Sequence, residues 1–437
     1  MSFRRLKVFK DILFFLLFLT LPFQIGRHFW LKESFIFGLK VDYLSPVFYL
    51  QDIFIFLLIF LEVKENYSLR EIINAVKLFK NNLNKKALLL LTILFFLGLN
   101  IIFAEAKTIS FYWWFRFIEF FSLGIVIAKN SKKAFKILLL VLPFVVFFEF
   151  VVGILQVFSK SSLGGIFWFF GERSFNIHTP GIARGSFLGK VFLRPYATFS
   201  HPNSMSGFIL VCVALMLGKE KKNSFVKVSL LLGIFLIVLS FSRTAWLALS
   251  LICLFYILFR LFAFFKGHNN RLTFSYILIL FSSFPLFYLF SKTTLDSSSV
   301  EIRLKLSEAA LRLIEEKPLL GVGAGNFVVS LSQGEQVWQW LYWLQPVHNI
   351  FLLLSSELGL FLGILFILFY FQILFNLVKS CRLEHSGPSM VLAVCLFSVT
   401  ITGLFDHYWL TLIQNQIMLT TLLSLSYSFS KPPSFDF

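Results

Sequence analysis

Hydrophobic runs and short polar gaps alternate along almost the whole chain. The runs show neither the two-residue alternation of a half-buried strand nor a polar helical face. A helix that crosses a bilayer needs roughly 20 largely apolar residues, and by that measure about twelve spans are present. They fall at 11–25, 43–62, 87–104, 111–128, 137–158, 203–218, 228–242, 244–264, 272–290, 349–373, 388–405 and 408–429. The pattern predicts an all-α membrane protein. The stretch 228–264 is too long for one crossing and is broken by Ser242-Arg243-Thr244, so it divides into two helices with Arg243 at the outer turn.

Two gaps are far longer than a connection between spans requires, residues 159–202 and 291–348. They divide the chain into N-terminal helices (1–158), a first outward loop (159–202), central helices (203–290), a second outward loop (291–348) and C-terminal helices with a short tail (349–437). In the second loop, Ser298 and Glu301 form a candidate capping box. Ile302, Leu306, Ala309, Ala310 and Leu313 then make a helical apolar stripe that Pro318 and Gly321 end. Trp338, Trp340, Tyr342 and Trp343 read as interfacial aromatics. On the opposite side, 64–86 reads as an amphipathic helix on the membrane surface, with Leu69, Ile72, Ile73, Val76 and Leu83 at helical spacing.

Composition agrees: 58% of residues are hydrophobic and mean hydropathy is +0.82. The net charge of +18 raises nucleic acid as a partner. Its distribution gives a simpler account, because basic clusters such as RRLKVFK at 4–10, NSKKAFK at 130–136 and KEKKNSFVK at 219–227 occupy every second gap. That is the positive-inside pattern, with both termini cytoplasmic and the long loops outside. The cysteines Cys212, Cys253, Cys381 and Cys395 form no CxxC pair and none lies in the outward loops, so neither a disulfide framework nor a zinc site is indicated.

The chemistry-bearing residues gather where the long loops meet the spans. Arg194, His201 and Asn203 stand where the chain re-enters the bilayer. The latter two are either a turn capped by Asn203 or functional groups, whereas the Arg194 guanidinium suits bidentate contact with phosphate oxygens. Arg243 interrupts apolar sequence, where a permanent charge marks a functional or snorkelling position. Arg303 opens a third group that includes Gly321 and Gly323 in the run GVGAGN, then His348 and Asn349 before the next span. The glycines fit neither GxGxxG nor a P-loop, which argues against nucleotide binding. His348 is either an interfacial residue or a base able to take a proton near neutral pH. GxSxG, HExxH and DxD are all absent from the sequence. Outward cations with one base suit a reaction whose leaving group is a phosphate or diphosphate.

In this order, RPYATFSHPNSMSGFIL, SFSRTAWLAL, EIRLKLSEAALRLIEEKPLLGVGAGNF and VHNIFLLLSSELGLFLGILF resemble the O-antigen ligase and O-antigen polymerase family of bacterial membrane proteins, over about 194–370. The resemblance implies a GT-C-like, metal-independent and inverting glycosyltransferase of the cytoplasmic membrane, without a cofactor. Its donor would be a glycan on polyprenyl diphosphate and its acceptor lipid A-core, or another lipid-linked glycan for a polymerase. The resemblance also carries the base to His348 and diphosphate-holding roles to Arg243 and Arg303. It gives less definite substrate contacts to Arg194, His201, Asn203, Gly321, Gly323 and Asn349. A lipid-linked glycan flippase is the competing class. It would use the embedded Asp52, Arg116, Glu119 and Glu149, but the two halves of the chain show no repeat.

Overall fold

A computed structural model describes residues 3–66, 85–187, 190–219, 222–265, 297–333, 344–384 and 387–430. The run 272–290, the aromatic stretch 338–343 and nearly all of the amphipathic segment 64–86 lie outside the described residues.

The chain begins with α1 (Phe3–Leu19), followed by short strands β1 (Gly26–His28), β2 (Phe35–Ile36), β3 (Leu39–Lys40) and β4 (Val47–Tyr49). Helices α2 (Leu50–Asn66), α3 (Lys85–Ile102), α4 (Lys107–Lys129) and α5 (Ser131–Ser159) come next. The first long loop holds α6 (Ile166–Phe169) and the hairpin β5 (Arg184–Phe187) and β6 (Lys190–Leu193). Then follow α7 (Pro202–Leu217), α8 (Ser224–Leu239), α9 (Arg243–Phe265), α10 (Ser297–Glu316), α11 (Phe327–Ser332), α12 (Ile350–Glu384), α13 (Gly387–Gly403), α14 (Tyr408–Thr411) and α15 (Ile413–Phe429).

Among the described residues, α4, α5 and residues Ile350–Ser380 of α12 can cross a membrane by length and composition, and five further apolar helices are shorter. The protein is therefore mostly helical, as the apolar runs predict, and the all-α reading is amended by three two-stranded sheets. The run 43–62 is helical only from Leu50, because 47–49 pairs with 26–28 as a strand. Between β2 and β3, Phe37 and Gly38 both take positive φ, as a two-residue hairpin turn with primed geometry requires. The run 408–429 is likewise divided at Leu412. Helix α10 already includes Ser297, which puts Ser298 inside the first turn instead of ahead of it.

The chain divides into two compact units, each discontinuous in sequence. The first comprises Met1–Leu17, Gly26–Asn130 and Ser297–Gln372. Ion pairs fasten its helices. Arg116 of α4 donates to Asp52 of α2 and to Glu119 one turn along, both at 2.7 Å, with all three buried. Lys10 of α1 joins Glu62 and Glu65 of α2 at 2.7 and 2.6 Å. An apolar environment makes such charges tolerable only when paired. Arg116→Lys is therefore expected to cost about 2 kcal/mol, since a point charge cannot keep both carboxylates in a fixed fork. A thermal midpoint equal to that of the parent protein would contradict this.

The second unit comprises Phe18–Ile25, Ser131–Asp296 and Ile373–Phe437. Its centre is α7, whose residues 202–216 are all buried, consistent with a run that is apolar on every face. Helices α5, α8, α9, α13 and α15 surround it. Close approach needs small residues: a Cβ on Gly207 would lie 2.1 Å from the Tyr408 hydroxyl.

Candidate functional site

Within the second unit, the end of α5 holds the returning loop by its backbone. Gln156 Oε1 accepts from the N–H groups of Tyr196 and Ala197 at 3.0 and 2.7 Å, while Glu149 accepts from both N–H and hydroxyl of Thr198. Glu149, an embedded transport candidate in the sequence, is thus occupied in fixing a turn in which Ala197 takes a φ of +51°. Buried Leu193 and Tyr196 pack with Phe175. The Tyr196 hydroxyl accepts from the Ala183 N–H at 2.7 Å, and burial pushes its phenol above the ordinary tyrosine pKa.

This turn sets Arg194. Its Nη2 donates to Asn203 Oδ1 at 2.7 Å, and its Nε donates to the Ser240 carbonyl. Asn203 Nδ2 in turn donates to Asp406 Oδ2 at 3.1 Å, and the other oxygen of Asp406 accepts from the His407 N–H at 2.9 Å. The residue capping α7 is His201, not Asn203. Pro202, which has no N–H and a fixed φ, is the first helical residue and moves the cap two positions back. His201 Nδ1 accepts from the Asn203 N–H at 3.1 Å, so the exposed imidazole is unprotonated at that nitrogen in this arrangement. Arg194, His201 and Asn203 are thereby brought together. Asn203→Ala is expected to lower stability by about 2 kcal/mol, because a hydrogen bond to a buried carboxylate is lost. An unchanged unfolding midpoint would show that Asp406 does not depend on it.

The break expected in 228–264 is present: α8 ends at Leu239 and α9 starts at Arg243. Phe241 adopts a φ of +51° in the turn, and its ring packs against Phe192 of β6 and Trp246 of α9 at 4.6 and 5.2 Å. Trp246 Nε1 donates back to the Ile237 carbonyl at 3.0 Å. Arg194 therefore contacts the very turn that carries half-buried Arg243. Two guanidinium groups and the N-terminal end of α9 all add positive potential there, which favours an anion.

In the first unit, α12 is interrupted at Gly359, where φ is +80°, so 349–373 is not one uninterrupted helix. The exposed backbone groups find partners in the glycine loop. Val322 N–H donates to the Ser356 carbonyl at 2.9 Å, Gly323 N–H to the Glu357 carbonyl at 3.0 Å, and Leu360 N–H to the Pro318 carbonyl at 2.8 Å. The Glu357 carboxylate accepts from the N–H groups of Gly325 and Phe327 at 2.9 and 3.2 Å. Asn100 of α3 adds contacts to the Leu320 and Glu357 carbonyls and to the Ala324 N–H. Gly321 and Gly323, expected as substrate contacts, have protein partners for their N–H groups, and the positive φ of both serves the docking turn.

Asn349 caps α12, its Oδ1 accepting from Phe351 and Leu352 N–H at 2.9 and 3.1 Å. Half-buried His348 directly precedes that cap, anchored by buried Val347 and Ile350. Arg303 is half-buried on α10, whose inner face is Leu306, Ala309 and Ala310, as the stripe predicts. Asn100, Glu357 and Asp406 were not among the residues expected from sequence. Each is a polar residue in or beside an apolar run, and that was the available signal.

Residues 228–367 match the family model described as O-Antigen ligase. The matched segment contains Arg243, Arg303, Gly321, Gly323, His348 and Asn349, and leaves Arg194, His201 and Asn203 outside. A comparison with curated proteins finds no match.

Proposed function

We propose, from the match of residues 228–367 to the O-antigen ligase family model, that the chain is a ligase-type membrane glycosyltransferase. It moves a glycan from polyprenyl diphosphate to lipid A-core or a similar lipid acceptor, on the outer face of the cytoplasmic membrane. The observation that carries this reading is that one matched segment contains Arg243, Arg303 and the histidine before α12.

In the proposed reaction, His348 takes the proton of the acceptor hydroxyl. The acceptor oxygen bonds to the anomeric carbon as that carbon's bond to the diphosphate oxygen breaks, so configuration inverts. The electron pair leaves with the diphosphate, whose charge Arg243 and Arg303 compensate. Arg194 supports the same role, being held on the turn that bears Arg243. Arginine suits this task because its planar fork matches phosphate oxygens and keeps its charge.

The test is transfer in reconstituted membranes, with lipid A-core and lipid-linked glycan offered separately. Product on lipid A-core is expected. Product on the lipid-linked glycan alone would make the protein a polymerase, and movement of the donor across the bilayer without transfer would overturn the enzyme reading. Arg243→Gln is expected to lower kcat/KM by about 10²-fold, with both donor affinity and turnover affected. Loss confined to the acceptor KM would remove Arg243 from the diphosphate.

A further inference from the structure

The segment 26–49 carries a surface that glycan transfer leaves unused. Strands β1 and β4 pair Arg27 directly with Phe48, so the two side chains share a face of the ladder. The Phe48 ring stacks on Phe56 of α2 at 6.5 Å, and Phe56 meets Phe115 of α4 at 6.0 Å. These rings are 45%, 37% and 44% exposed, so Arg27 stands at the head of an open aromatic column running along two helices. Its guanidinium lies 5.9 Å from the ring of Phe29, which is also exposed. In the second hairpin Lys40 lies opposite exposed Phe35 and holds its ammonium 5.1 Å from the Trp30 ring. Exposed Lys32 adds a third cation, against two acids in 26–49, Glu33 and Asp42. Among the described residues none of these three cations has a carboxylate partner.

Open aromatic rings beside basic side chains fit the boundary between acyl chains and headgroups. The rings contact hydrocarbon there, and the charged ends reach phosphate. The excess of unpaired cations selects an anionic headgroup over a zwitterionic one. We infer that the 26–49 platform is a docking surface for anionic phospholipid, with an acyl chain along Phe48, Phe56 and Phe115 and the headgroup layer at Arg27, Lys32 and Lys40. The platform anchors one end of the first unit at the bilayer boundary, independently of which glycan the protein transfers.

The test uses full-length protein in nanodiscs of phosphatidylcholine with a minor share of phosphatidylglycerol, one or the other brominated on its acyl chains. Trp30 emission is taken as the difference between the parent protein and Trp30→Phe. Brominated phosphatidylglycerol is expected to quench Trp30 several-fold more than brominated phosphatidylcholine at equal mole fraction. That excess should fall roughly five-fold for each charge removed in Arg27→Gln and Lys40→Gln, and persist in Arg27→Lys and Lys40→Arg, which guard against misfolding. Equal quenching by both lipids, or an excess untouched by neutralisation, overturns the inference. An excess seen only with a polyprenyl diphosphate probe would give the surface to a substrate and overturn the phospholipid assignment.

Discussion

His348→Ala is expected to reduce glycan transfer by about 10²–10⁴-fold, the range contributed by a positioned general base. The side chain directly precedes an Asn349 cap that fixes the first turn of α12, and buried Val347 and Ile350 hold the backbone on either side. Removing the imidazole therefore deletes a proton acceptor without disturbing the helix start. Donor binding should be nearly unchanged, because the proposed diphosphate contacts are arginines. Single-turnover transfer with saturating donor, alongside equilibrium binding of the same donor, separates the two effects. A variant that transfers within a few-fold of the parent would eliminate His348 as the base, and one that loses donor binding equally would make it a substrate contact.

Gly325→Val is expected to destabilise the first unit by about 4 kcal/mol, combining backbone strain with overpacking. Gly325 has a φ of +71°, and a Cβ there would lie 2.1 Å from Trp113 Cδ1 and 2.2 Å from its Nε1. The indole belongs to α4, so relief requires moving a ring or the loop. If the loop moves, the Gly325 N–H leaves Glu357, which is half-buried at the helix break. Gly325→Ala should show a smaller loss of the same sign, whereas Gly98→Ala, with open space at its Cβ and a helical backbone, should be neutral or slightly stabilising. Unfolding in detergent followed by circular dichroism measures all three. Equal midpoints for Gly325→Val and Gly98→Ala would mean that the loop is not docked against α4 and α12.

Element type was legible wherever one physical requirement dominated. Runs apolar on all faces became helices, Ser242-Arg243-Thr244 divided one of them, and Leu306, Ala309 and Ala310 turned inward on α10. Less was visible where pairing decided the outcome. Phe48 continues an apolar run in the sequence, yet it is a strand residue because Arg27 lies opposite it. Asn203 has the composition of a helix cap, and Pro202 displaced that role to His201. The glycines of 321–325 suggest ligand approach, and only the fold shows that Lys317 and Glu357 accept their N–H groups.

Residue order and local hydropathy suffice to make the chain an apolar helical protein, to locate the polar residues that interrupt its helices, and to match the segment 228–367 to the O-antigen ligase family model. Each of these properties is written in a short stretch of chain. The break of α12 at Gly359, mended by a distant loop, and the hold of Asn203 on Arg194 against the Ser240 turn emerge solely from the folded arrangement. The reason lies in buried hydrogen bonding. A donor or acceptor taken out of water must find a partner, and in this fold the partner often lies far along the chain, beyond the reach of any local pattern.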